Sequence, residues 1–156
     1  MADFDPDVTD LGTGRDEVQF RFRDDEQADV AAVTVDSFLD QADADAVRIE
    51  PGDDTRDLLP HLGRLRLVEV NFPSYTDGRG YSAARLLREH GYTGELRAVG
   101  DVLVDQLAYM RRCGIDSFAP DRWLDEAAAQ KALGILPEVY QSAADASTPI
   151  WKLRHG

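Results

Sequence analysis

The residues best suited to chemistry gather in Asp77-Gly78-Arg79-Gly80 and in the segments that follow it. Glycines in such a turn let backbone N–H groups approach a ligand closely, and an arginine beside them offers a planar fork of donors to an oxyanion. A helix predicted to begin at Ser82 adds its positive end, which favours negative charge. The four residues match neither a GxxxxGK[ST] phosphate loop nor a GxGxxG dinucleotide fingerprint, so a tight turn explains the glycines as well as a ligand does. Arg85, third in that predicted helix, opposes the dipole at a cost of about 0.3–1 kcal/mol and calls for a partner, either Asp77 or a bound oxyanion. Arg97 stands mid-strand in Glu95-Leu96-Arg97-Ala98-Val99, where a parallel sheet is usually apolar throughout. A guanidinium buried there must be paired, by Glu95, by Asp101 or by an anion, and an internal ion pair is the first expectation.

Asp101, Asp105, Tyr109 and Arg112 follow at helical spacing. Asp101 and Asp105, one turn apart, are expected at the same mouth as Arg97, although a solvated helix face is the plainer account. No histidine accompanies them at a ligand spacing, so no metal is expected. The candidate anion- or ligand-binding set is therefore Asp77, Gly78, Arg79, Gly80, Ser82, Arg85, Arg97, Asp101 and Asp105, with no catalytic residue assigned. Cys113 falls at the far end of the second helix, where the dipole raises a thiol pKa, and is expected to pack rather than react. His61, His90 and His155 are scattered and are expected at surfaces or helix ends.

Positioning these groups takes alternating strands and helices. Leu67–Phe72 is an apolar run of strand length, closed by Pro73 and a turn through Gly78. A helix is predicted from Ser82 to His90, stopped by Gly91, then a strand Glu95–Val99. A second helix, capped by Asp101, runs to Cys113, and a third strand, Ile115–Phe118, ends at Pro120. Upstream, Val18–Arg23 suits an edge strand, and Val30–Val35 and Ala46–Ile49 suit two more. Ser37–Ala42 suits a short helix, and Asp53 or Asp54 caps another through Leu62. Downstream, Arg122–Leu133 and Pro137–Ala144 read as helices. The pattern predicts an α/β fold of repeated βα units on a mainly parallel sheet, open or half-barrel-like. With 156 residues the chain is too short for a complete eight-fold barrel of about 250 residues. Residues 1–16 are expected to form a flexible acidic arm, 17–146 a single domain, and 147–156 an apolar and basic tail, with Trp151, that docks on its own domain or, as the second expectation, on a partner subunit.

The segment FPSYTDGRGYSAARLLREHGYTGELRAVGDVLVDQLAYMRRCGIDSF resembles the signature of the bacterial DUF934 family. DGRGYS, GELRA, GD, DQL and RCG in series carry the resemblance, which spans roughly a third of the chain closely. It implies a link to assimilatory sulfate and sulfite reduction and an oxidoreductase label, but brings no catalytic residues with it.

The net charge of −13 lies wholly in residues 1–60, which hold 18 acidic and 5 basic side chains; residues 61–156 hold 12 of each. So acidic a chain does not suit nucleic acid or an anionic membrane, which call for a basic face. One cysteine excludes an internal disulfide and any CxxC motif. Without an apolar run of spanning length or a signal-like start, the expected location is the cytoplasm.

Three functions follow as expectations: an accessory or adaptor to a reductase of sulfite reduction or to its electron donor, an enzyme or binding protein for a small oxyanion or anionic metabolite at the glycine loop, or a structural subunit completed by a homodimer. No flavin, haem, iron–sulfur or nicotinamide fingerprint is present, so no cofactor is assigned.

Overall fold

The computed structural model describes residues 17–28 and 30–134; the predicted arm, the helix at 137–144 and the tail at 147–156 lie outside the described residues. In chain order the elements are β1 (Phe20–Arg21), β2 (Val33–Thr34), α1 (Val35–Asp40), β3 (Ala46–Ile49), a 3-10 helix (Thr55–Arg64) and β4 (Leu67–Phe72). There follow α2 (Arg79–Glu89), β5 (Glu95–Gly100), a 3-10 turn (Val104–Gln106) leading into α3 (Leu107–Arg112), β6 (Ser117–Pro120) and α4 (Glu126–Gly134).

The sheet has six strands in the order β1-β6-β5-β4-β3-β2. From β2 to β6 all neighbours are parallel and consecutive in sequence, while β1 closes the edge antiparallel to β6. Connections that step the same way with the same hand put their helices on one side of the sheet. The core agrees: Val47, Val68, Val70, Phe72, Leu96, Ala98 and Phe118 pack in one cluster with Phe38, Leu58, Ala84, Leu87, Leu107 and Ala129. The opposite strand positions share a separate small cluster, Ala28, Ala46 and Leu67. The chain thus has the expected α/β architecture, a mainly parallel sheet whose main core lies on one face.

Several predicted boundaries move. Helix α2 starts at Arg79, not Ser82, and its cap residue Gly78 makes no side-chain bond. Asp77 Oδ1 accepts the Arg79 backbone N–H at 3.1 Å and so starts the helix a turn early. Arg85 therefore lies in the second turn, clear of the dipole it was expected to oppose. Asp101 caps no helix; the chain bends there, makes a 3-10 turn and becomes α-helical only at Leu107. The strand expected at Ile115–Phe118 is formed by Ser117–Pro120.

Candidate functional site

At the carboxyl edge of the parallel strands a cleft of about 280 Å³ opens between α2 and the loop after β3. Arg79, Gly80 and Ser82 line one wall, with Asn71, Glu50 and Arg56 opposite. Gly80 is there for packing: a Cβ would sit 2.5 Å from Phe72 Cε2 and 2.9 Å from Val70 Cγ1. Both arginines are held locally. Arg79 Nη2 lies 2.8 Å from Asp77 Oδ2, and Arg56 Nε lies 3.1 Å from Asp54 Oδ1. The Asp77 carboxyl is accordingly held below its ordinary value, first by its hydrogen bond from the Arg79 side chain. Across the cleft, Asn71 Nδ2 donates to Glu50 Oε1 at 2.7 Å.

The remaining loops of this edge are tied together. Asp101 Oδ2 accepts the Tyr75 N–H at 3.0 Å, and Gln106 Nε2 donates to Tyr75 O at 2.8 Å. Both backbone groups of one exposed aromatic residue are therefore pinned by the next loop. Phe72, Gly100 and Pro120 are aligned across β4, β5 and β6. Tyr75, Leu103 and Trp123 each follow that row by three residues, and they are 50%, 37% and 53% exposed. Three successive loops at this edge thus each carry one exposed apolar side chain, and the carboxylates of Asp105, Asp121 and Asp125 lie on the same loops.

Arg97 does not share this mouth. Strand alternation turns it to the face opposite the helices, where Thr34, Arg48, Glu69, Arg97, Ser117 and Arg21 form one row across all six strands. Arg48 Nη2 is 2.7 Å from Glu69 Oε1, and Arg97 Nη1 is 3.5 Å from Glu69 Oε2. Arg97 Nη2 is 3.1 Å from Glu95 Oε2, whose other oxygen is 3.0 Å from Arg21 Nη2. The chain continues through Asp25, Arg23 and Asp116 to Arg88, with links of 3.0, 2.7, 2.8 and 3.0 Å. Burial alone would raise the Glu95 carboxyl, but the hydrogen bond from Arg21 and the charge of Arg97 hold it below its ordinary value. Burial pushes the Asp116 carboxyl up against the pull of Arg88 and Arg23.

Of the nine residues singled out in sequence, Arg79, Gly80 and Ser82 line the cleft, while Asp77 and Gly78 shape its loop. Asp101 ties that loop to the next, and exposed Asp105 belongs to the 3-10 turn. Arg85 Nη2 lies 3.5 Å from Tyr109 Oη, and Arg97 belongs to the opposite face. Arg97 takes Glu95 and Glu69 as partners, not Asp101. Arg48 and Glu69 were missed, although each is the one charge in its short apolar strand, a signal of the same kind as mid-strand Arg97. Cys113 is buried, and burial raises its thiol pKa. Among the described residues no group of His, Cys, Asp and Glu could hold a metal ion, and no helix is long and apolar enough to cross a membrane.

A family model described as a bacterial protein of unknown function, DUF934, matches residues 46–151, more than half of the chain. No curated protein and no solved structure matches it.

Proposed function

The chain belongs to the bacterial DUF934 family, and from that membership we propose that it is an accessory protein of assimilatory sulfate and sulfite reduction, acting by contact with a reductase or its electron donor. The row of Tyr75, Leu103 and Trp123 carries this proposal. Exposed aromatic and aliphatic side chains grouped on one edge are the usual core of a protein-binding surface. Pinning of Tyr75 by Asp101 and Gln106 supports docking, because a pre-ordered loop loses less entropy on binding. The carboxylates beside the row suit a partner whose apolar patch has a basic surround, and they make association salt-sensitive.

The test is association of the purified protein with purified assimilatory sulfite reductase, and separately with its electron donor. Saturable binding to one of them is expected, with loss of at least ten-fold in affinity in Tyr75→Ser/Leu103→Ser/Trp123→Ser at unchanged melting temperature. Absence of binding to both, or undiminished binding by the triple variant, overturns the proposal.

A further inference from the structure

The cleft between α2 and the loop after β3 is lined by groups of both signs. Its two arginines are held alike. Arg56 and Arg79 each set a guanidinium against the aspartate two residues earlier, and each aspartate also accepts the arginine's own backbone N–H at 3.1 Å. Two successive strand-to-helix connections thus carry the same Asp-x-Arg clamp, Asp54 with Arg56 after β3 and Asp77 with Arg79 after β4. Each clamp is electrically neutral. Arg79 spends Nε and Nη2 on Asp77, so its Nη1 keeps its donors for another acceptor. Glu50 and Asp53 line the cleft from the other side, and among the described residues neither has a cationic partner. Glu50 Oε1 accepts from Asn71 Nδ2 and Asp53 Oδ2 from the Glu50 N–H, both at 2.7 Å, which leaves Glu50 Oε2 open to a donor.

With both arginines neutralised, the cleft carries surplus negative charge, which repels a plain oxyanion and favours a ligand with a cationic end. Arg79, on the opposite wall, still favours an anionic one. We propose that this cleft binds a small zwitterion, a free amino acid or a compound of that kind, whose ammonium donates to Glu50 and whose carboxylate accepts from Arg79. Ile49, Val70, Ala83 and Leu86 also line the cleft and offer apolar contact to the rest of the molecule. Its volume of about 280 Å³ equals on the order of ten waters and admits a ligand of about as many non-hydrogen atoms. The carboxyl ends of parallel strands are where such sheets hold ligands, and a guanidinium already fixed by Asp77 loses little freedom on binding. The proposal does not depend on partner docking at Tyr75, Leu103 and Trp123.

Titration calorimetry and melting curves with glycine, L-valine and 4-aminobutyrate, at constant ionic strength, test this. At least one of the three is expected to bind saturably at one site and to raise the melting temperature with concentration. The N-acetyl derivative of the best binder, which lacks the ammonium, and its amide, which lacks the carboxylate, should each bind at least ten-fold more weakly, as should sulfate. Glu50→Gln, which keeps an acceptor for Asn71 but removes the charge, and Arg79→Ala should each weaken binding at least ten-fold. Arg66→Ala, an exposed arginine at the amino end of β4, should leave it unchanged. Ser82 is exposed and lines the cleft, so Ser82→Phe should block it and abolish binding, and it decides the matter if Glu50→Gln fails to fold. The proposal is overturned if none of the three zwitterions binds, if sulfate or either one-ended derivative binds as tightly as the best of them, if folded Glu50→Gln or Ser82→Phe binds normally, or if Arg66→Ala loses binding.

Discussion

Arg97 stands directly opposite Glu69 in the parallel register of β4 and β5, and its Nη1 lies 3.5 Å from the Glu69 carboxylate. A residue that looked like a ligand-seeking cation is therefore the middle of an internal ion chain, with Glu95 on its other side.

Removing that middle cation should destabilise the fold. Arg97→Met leaves Glu69 and Glu95 buried, though Arg48 and Arg21 still neutralise them. The expected loss is about 3 kcal/mol, the lower end for a broken buried pair, read as a shifted midpoint in urea denaturation. A change within about 0.5 kcal/mol would mean that the chain contributes nothing net.

Acid should dismantle the same chain. The Glu95 carboxyl is depressed below its ordinary value of 4.5, so the stability it contributes is present above that value and lost as pH falls through the depressed one. Asp25, held low first by Arg23, acts in the same sense, whereas Asp116, raised by burial, acts in the opposite one. Melting curves between about pH 5 and about pH 3 should show a steeper fall for wild type than for Glu95→Gln. Parallel curves would remove Glu95 from the acid response.

The two glycines flanking Arg79 should behave differently. Gly80→Ala forces a Cβ against Phe72 and Val70 and should cost about 1–3 kcal/mol. Gly78→Ala meets nothing nearer than Tyr81 Cδ2 at 4.0 Å, so only a few tenths of a kcal/mol is expected, from the less favourable cap. Equal losses at both positions would show that the turn itself, not the helix–strand contact, demands glycine.

Cys113 should prove a packing residue. Its thiol is buried and its pKa raised, so a maleimide should label it only after denaturant is added. Cys113→Ala should fold with a loss of about 1 kcal/mol. Rapid labelling of the native protein would contradict this placement.

Local pattern sufficed for much of the fold. Ala46–Ile49 and Leu67–Phe72 are strands at the predicted bounds, because short apolar runs between turn formers have few alternatives in a parallel sheet. Boundaries moved where side chains competed with the backbone. Asp77 accepted the Arg79 N–H and began α2 early, while Asp101 accepted from Tyr75 instead of capping a helix. Neither outcome is legible from residue type alone.

The candidate site divides the same way. By itself the sequence determined that Asp77 to Ser82 would lie at a strand-to-helix edge and that Arg97 would need a buried partner, since both follow from local spacing and desolvation. Only the tertiary structure decided that Arg97 faces away from that edge and meets Glu69, 28 residues earlier. The reason is register: period-two alternation makes a side chain's face a property of the whole sheet. The partner across a parallel pair is set by how two distant strands align, which neither strand's own residues encode.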